Sequence, residues 1–250
     1  MINKIKVRIA DFLTHPLIGR GIGRLLGNSI PHGNVRLDLS SAAVADRTRA
    51  CIYWGLYESA ERRFIQKYLY DSVDVVELGS SIGANSSIAA GRLKQGTRLV
   101  CVEANATLLE TLHGNLGLNA KHLEVSVVNA AICYSGPSIQ FAVHPDGISS
   151  AVNHSHDRST TVEVPATTLS SIIAEHVESQ YQLISDIEGA EVEILELDRS
   201  AFASCKQIII ELHTATFRDK EYSIEDLIAK FVSLGYRQID RHGPVVVFRK

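Results

Sequence analysis

The sequence predicts an α/β protein with a mostly parallel seven-stranded sheet, helices on both faces and an antiparallel strand at its C-terminal edge. Three observations lead there. From residue 71 onward, short apolar runs alternate with segments whose apolar residues recur every three or four positions. The runs are nearly continuous rather than alternating in polarity, as in parallel strands covered on both sides. The last two runs are joined by a turn too short for a crossover, so they must be antiparallel.

The elements follow in order. Runs at 73–78, 98–103, 123–128, 182–186 and 207–212 are the five central strands, and 84–93, 106–118, 168–177 and 191–197 carry the helical spacing of the crossovers. A helix at 223–234 leads into a hairpin of 235–239 and 245–248 around Gly243 and Pro244. An insertion at 138–164 contains two strand-like pieces around a polar loop at 144–161. That loop is expected to hang over the carboxyl ends of the strands, where open α/β sheets bind ligands. Residues 1–50 read as a basic helical arm or cap, and 51–250 as the main domain.

Composition narrows the function. At 250 residues, with 45% hydrophobic and 21% charged residues, the chain is neither fibrous nor disordered. A net charge of −3 gives no field that would attract a polyanion, so no nucleic-acid partner is expected. The charge is uneven: Lys4, Lys6, Arg8, Arg20, Arg24 and Arg36 stand against Asp11 in residues 1–36. This arm reads as a solvated cap, the alternatives being a fold over the cleft or weak peripheral contact with an anionic membrane surface. Cys51, Cys101, Cys133 and Cys205 are widely spaced, which argues against a zinc knuckle or a disulfide framework. With neither a membrane-spanning stretch nor a secretory leader in the reading, the cytoplasm is the expected compartment. The oligomeric state is left open, a homo-oligomer included.

The chemistry concentrates at strand ends. In Val75-Val-Glu-Leu-Gly-Ser-Ser-Ile-Gly-Ala-Asn85 a strand enters a small-residue turn and then a helix. Gly79 and Gly83 allow a tight turn and close approach of a ligand, while Ser81 stands where the dinucleotide pattern needs its second glycine. Glu77 would repel a pyrophosphate but suits an ammonium and a sulfonium. The second strand ends at Glu103, placed to accept from two ribose hydroxyls or, more simply, to cap the next helix. The third ends at Asn129-Ala130, where the side chain or the backbone of Ala130 would meet an adenine edge. The fourth strand leads to Asp186, Glu188 and Glu191 beside Gly189, acids that are costly unless they bind a cation, share a proton or act as a base, although Glu191 can simply favour the amino-terminal end of its helix. The fifth ends in Glu211 and His213, and a histidine titrating near neutrality suits proton removal from a hydroxyl, although a structural histidine fits equally.

These residues resemble the FkbM family of S-adenosylmethionine-dependent methyltransferases. The resemblance covers roughly residues 70–213: the Glu-Leu-Gly-Ser-Ser-Ile-Gly turn at 77–83, Val-Glu-Ala-Asn at 102–105, Val-Pro-Ala-Thr-Thr-Leu at 164–169 and Asp-Ile-Glu-Gly-Ala-Glu at 186–191. The family usually has Asp at the place of Glu77 and commonly Ala-Asn at Ser80-Ser81. What the resemblance implies is a Rossmann-like class I methyltransferase fold and O-methylation of a hydroxyl on a sugar, glycan, or glycosylated or polyketide product. The combined reading assigns S-adenosylmethionine to Glu77, Gly79, Ser80, Ser81, Gly83, Asn85, Glu103, Ala104, Asn129, Ala130 and Asp186. Asp186, His213, Glu188 and Glu211 are the expected catalytic group, with no resident metal.

Several other signals are set lower. Gly21-Ile-Gly-Arg-Leu-Leu-Gly27 lacks the preceding strand of a phosphate loop. His154-Ser-His-Asp157 has metal-binding side chains without a firm ligand spacing. A divalent ion on Asp186, Glu211 and His213, serving a diol acceptor, is a secondary reading of that group. A nicotinamide-dependent reductase is the rival enzyme, disfavoured by Glu77 and the missing glycine, and a non-catalytic cofactor-binding protein is the rival outside enzymes.

Overall fold

A computed structural model describes residues 10–143, 151–152 and 160–250. The first labelled helix, α1 (Pro16–Leu26), is closed by Gly27 in the left-handed conformation. The hairpin β1 (Ser29–His32) and β2 (Val35–Asp38) follows, then α2 (Asp46–Tyr53) and α3 (Ser59–Tyr68). This part of the chain is packed rather than loose. Ile30, Leu37 and Leu39 are fully buried in the apolar cluster that also holds Val75 and Leu99 of the sheet.

The sheet begins with β3 (Asp74–Leu78), α4 (Ala84–Ala90), β4 (Arg98–Val102), α5 (Leu109–Asn119) and β5 (Glu124–Val128). The next segment contains β6 (Ala131–Ile132), β7 (Ser138–Val143), β8 (Ala151–Val152) and β9 (Thr160–Thr167), which pair in the order β6-β9-β7-β8. The chain returns through α6 (Leu169–His176), β10 (Tyr181–Ser185), α7 (Glu191–Leu197) and β11 (Cys205–Glu211). A small hairpin, β12 (Ala215–Phe217) and β13 (Lys220–Tyr222), precedes α8 (Ile224–Ser233), β14 (Arg237–His242) and β15 (Val245–Arg249).

The seven-stranded sheet runs β14-β15-β11-β10-β3-β4-β5. From β11 to β5 all pairings are parallel, and β15 is antiparallel to both of its neighbours. The expected architecture is therefore present. Alternate residues of each central strand enter opposite cores: Val75, Leu99, Ile184 and Ile209 face one, Val76, Val100, Leu183 and Ile208 the other. Several expected boundaries move, among them the helix placed at 84–93, which ends at Ala90. The strand placed at 235–239 occupies Arg237–His242, because Gly235 at φ +89° closes α8 and the pairing with β15 carries an irregularity between Gln238 and Asp240.

The expected loop at 144–161 falls mostly outside the described residues, as does His154-Ser-His-Asp157. No helix among the described residues is long and apolar enough to cross a membrane.

Candidate active site

A cleft forms where β3, β4 and β10 end. Gly79 follows β3 with φ +82°, and a Cβ there would lie 1.9 Å from the Asp186 carbonyl oxygen. Only a glycine lets the ends of β3 and β10 come together in this way. The amides of Gly79 and Ser80 both donate to the carbonyl of Val102, at 2.9 and 3.0 Å, which fixes the turn to β4. Ser81 takes a left-handed φ of +48°, strained for a residue with a side chain, and its amide donates to Glu103 Oε2 at 2.6 Å. Glu103 Oε1 accepts from the Asn105 amide at 2.7 Å. Both oxygens are thereby clamped to backbone, at a carboxylate whose pKa is raised by burial.

The cleft spans about 700 Å³ of space between the strand ends, the open solvent at its mouth included. One end is apolar, lined by Val102, Leu108, Ala130, Ile132 and Phe141. Glu58, Asp186 and Glu188 line the other end. A second, open recess shares Ile132, Glu188 and Ala190 with the first and continues past Glu193 to Thr214 and Thr216. Glu188 sits between the two in a left-handed conformation, φ +51°, followed by Gly189 at +104°.

Behind the acidic end lies His213, two residues past β11. Its Nδ1 is 3.1 Å from Glu191 Oε1, on a side chain with no exposed surface, and its Nε2 faces Glu188 at 3.5 Å and Asp186 and Glu211 at 3.9 Å. Glu211 also meets Glu61 of α3, and Glu58 precedes that helix. Four carboxyl groups thus surround one imidazole, with Glu61 beside Glu211 and Glu58 beside Asp186, and among the described residues no lysine or arginine forms an ion pair with any of the six. Burial, followed by the charges of Glu211 and Glu188, raises Asp186, while burial and contact with Glu61 raise Glu211. Burial and Asp186 push Glu58 well above the carboxylate range. Burial works against a charge on His213, but the hydrogen bond to Glu191 and the surrounding carboxylates outweigh it and raise the imidazole.

Residues 77–238 match the model of the methyltransferase FkbM domain, well over half of the chain. The chain belongs to the FkbM methyltransferase family. It is accordingly an S-adenosylmethionine-dependent methyltransferase with a Rossmann-like class I fold, which removes the reductase alternative. No curated protein matches its sequence. Among solved structures, the chain is similar to a ribosomal protein L11 methylase from Lactobacillus delbrueckii subsp. bulgaricus, at 10% identity over 77% of this chain and 78% of that one, with a TM-score of 0.45. It is likewise similar to precorrin-6y C5,15-methyltransferase from Geobacter metallireducens GS-15, at 14% identity over 77% and 89%, with a TM-score of 0.45. A third is Aeropyrum pernix fibrillarin with natively bound S-adenosyl-L-methionine, at 10% identity over 76% and 74%, TM-score 0.45. At such distances these likenesses say nothing of the acceptor.

The FkbM cleft fits its cofactor in chemistry. An apolar slot suits a purine, Glu103 presents acceptors, and the acidic end suits an ammonium and a sulfonium. At that end Asp186 Oδ1 is buried without a hydrogen-bond partner. Of the expected cofactor residues, Gly79, Ser81, Glu103, Ala104, Ala130 and Asp186 line the cleft.

The other expected cofactor residues do not line it. Glu77 is corrected as a direct partner of the cofactor: it lies inside β3, beneath the turn, accepting from Ser86 Oγ and Cys101 Sγ, and burial pushes it up to about 7. Ser80 is buried with its hydroxyl toward the Glu77 carbonyl, and Gly83 packs against Leu112. Asn85 is buried in α4. Asn129 spends its amide on the carbonyls of Glu103 and Ala104, which leaves Ala130 at the cleft. His213 and Glu211 stand behind the lining, and a raised, carboxylate-ringed imidazole is not the near-neutral base expected. Glu58, Glu61 and Phe141 escaped the sequence reading. Glu58 lies just before, and Glu61 on, a helix far upstream, with no spacing that ties them to β10 or β11.

Proposed function

We propose that this FkbM methyltransferase O-methylates a hydroxyl of a sugar, a glycan, or a glycosylated or polyketide product. When bound, S-adenosylmethionine supplies an electrophilic methyl group on a positively charged sulfur. Ala130 and the apolar wall would hold its adenine and Glu103 its ribose. The turn at Gly79 and Ser81, with Asp186 and Glu58, would hold the cationic methionine end.

The observation that supports a hydroxyl-rich acceptor is the second recess. Thr214, Thr216, Glu193 and Glu188 offer hydroxyl and carboxylate groups there, and Glu188 also lines the cofactor cleft. An acceptor hydroxyl at this junction lies against Asp186 and Glu188, which take its proton, while Glu211 and His213 position them. A general base of this kind contributes about 10²–10⁴ fold, and alignment of the reacting atoms contributes more. The reading includes no nucleic-acid partner and a cytoplasmic setting, where the four unpaired cysteines stay reduced.

The test offers methyl-labelled cofactor with oligosaccharides, glycosylated products and RNA in parallel. Label in an alkali-stable methyl ether is the expected result. Label in RNA, 2′-O-methyl ribose included, overturns the acceptor class, and label on nitrogen or carbon overturns the hydroxyl assignment.

A further inference from the structure

We infer that Asp186, Glu211 and His213 form a site for one divalent cation of the Mg²⁺ or Mn²⁺ class at the acidic end of the cleft. Its use in catalysis rests on the hydroxyl acceptor proposed above; its existence does not. A carboxylate oxygen from each acid and a ring nitrogen of His213 all lie within 4.8 Å of one another, a spacing that one ion can bridge.

The imidazole is oriented for this. Nδ1 is hydrogen-bonded to Glu191 Oε1 at 3.1 Å, and Nε2 points at Glu188, Asp186 and Glu211 without a hydrogen bond among the described residues. A buried carboxylate behind a histidine, fixing its tautomer and direction, is the usual support of a metal-bound imidazole. An independent observation comes from the acids. Asp186 Oδ1 and Glu191 Oε2 are buried with no partner, and the Glu191 side chain has no exposed surface. Orphaned buried carboxylate oxygens are costly unless a cation completes them.

The donor set decides the ion class. Two carboxylates and one imidazole, with further carboxylates around them and no thiolate in the group, select a hard or borderline divalent ion over a soft one. Asp186 lines the cofactor cleft and Glu188 both recesses, so the open side of the site faces the acceptor. A hydroxyl oxygen bound there becomes more acidic. Its proton passes to Glu188, the carboxylate left outside the ligand set, and its oxygen forms the new bond to carbon as the sulfur–carbon bond breaks.

The probe is Mn²⁺ alone, titrated into the chelator-stripped full chain and followed by the resonance of free Mn²⁺ and by paramagnetic broadening of histidine ring signals. One saturable site that broadens His213 first is expected. Glu211→Gln and His213→Gln, checked for fold by circular dichroism, should lose it. Glu191→Gln should weaken it by about 10–100 fold, as loss of a supporting carboxylate does. No saturable binding to the folded wild type, or saturable binding that leaves His213 sharp, overturns the site whether or not the variants fold. Methyl transfer to a hydroxyl under chelator with no Mn²⁺ bound would remove the cation's part in catalysis and keep the proposed reaction. Mn²⁺ at His213 with no hydroxyl methylated would keep the site and remove that reaction.

Discussion

Glu77, buried within β3, and Asp186, half-buried just past the adjacent β10 with its Oδ1 fully buried, are acids that the fold treats differently. Glu77 pairs in register with Ile184 and Cys101, inside the sheet, and its carboxylate accepts from Ser86 and Cys101. Asp186 is the first residue past β10, and its side chain has no hydrogen-bond donor while three carboxylates stand near. Burial raises both pKa values. What separates them is completion: the fold supplies the partners of Glu77, whereas Asp186 is left for something that arrives from outside. A buried polar group without a partner costs stability, so its persistence at the lip of a cleft marks ligand space.

The largest expected effect follows from that contrast. Asp186→Asn should lower turnover by about 10²–10⁴ fold, the contribution of proton removal that Asp186 provides together with Glu188 or, with a cation bound, supports as its ligand. Its melting temperature should hold or rise, because a neutral amide relieves the repulsion from Glu211 and Glu188. Initial rates with saturating cofactor, beside thermal melts, check both halves. Normal turnover would break the comparison, since the incomplete acid would then have no work to do.

His32 sets the limit of the rule, because it is an orphan away from the cleft. Its side chain is buried and neither ring nitrogen has a hydrogen-bond partner, yet it lines neither recess. Here the fold tolerates the orphan by keeping it neutral. Burial, then the charge of Arg62, lowers its pKa from 6.5 to about 4. The unfolded chain takes up a proton in that window and the folded chain does not. This contribution to stability is therefore complete above the unfolded value and lost as pH falls toward the folded one, by at most about 3 kcal/mol. Denaturant melts at about pH 7 and about pH 4.5 should show a smaller acid loss for His32→Leu than for the wild type. Parallel losses would remove His32 as the cause.

The same contrast explains what could be read from the sequence. Continuous apolar runs located the five parallel strands, and the short Gly243-Pro244 turn forced the final hairpin. Glu103 and Asp186 were legible because each is the first residue beyond an apolar run, and so lies on the rim. Glu77 was misread because it precedes Leu78, the last strand residue, and therefore sits one position inside the sheet. Glu58 and Glu61 were not legible, since the packing of α3 near β11, rather than any spacing, brings them to the acids. Asn129 carried the right position and the wrong task, its amide holding the Glu103 loop in place.

A smaller effect is expected at Glu103. Its two oxygens already accept from the amides of Ser81 and Asn105, at 2.6 and 2.7 Å, so only their remaining lone pairs face the cleft. Glu103→Gln keeps the shape but turns one acceptor into a donor aimed at an amide. Affinity for S-adenosylmethionine should fall about tenfold, the worth of one or two hydrogen bonds to a charged group. Calorimetry that shows undiminished affinity would mean that Glu103 only fastens the turn.

Glu77→Gln should change cofactor affinity least, by no more than about twofold, which is a few tenths of a kcal/mol. The side chain lies beneath the turn, and the protonated form that burial favours near neutral pH resembles the amide. A glutamine carbonyl can still accept from Ser86, so the helix that starts after Gly83 keeps its support. The same calorimetry, run beside Glu103→Gln, measures both. Should Glu77→Gln lose more affinity than Glu103→Gln, the buried carboxylate would be acting on the cofactor through its charge. The division between completed and uncompleted acids would then no longer separate scaffold from site.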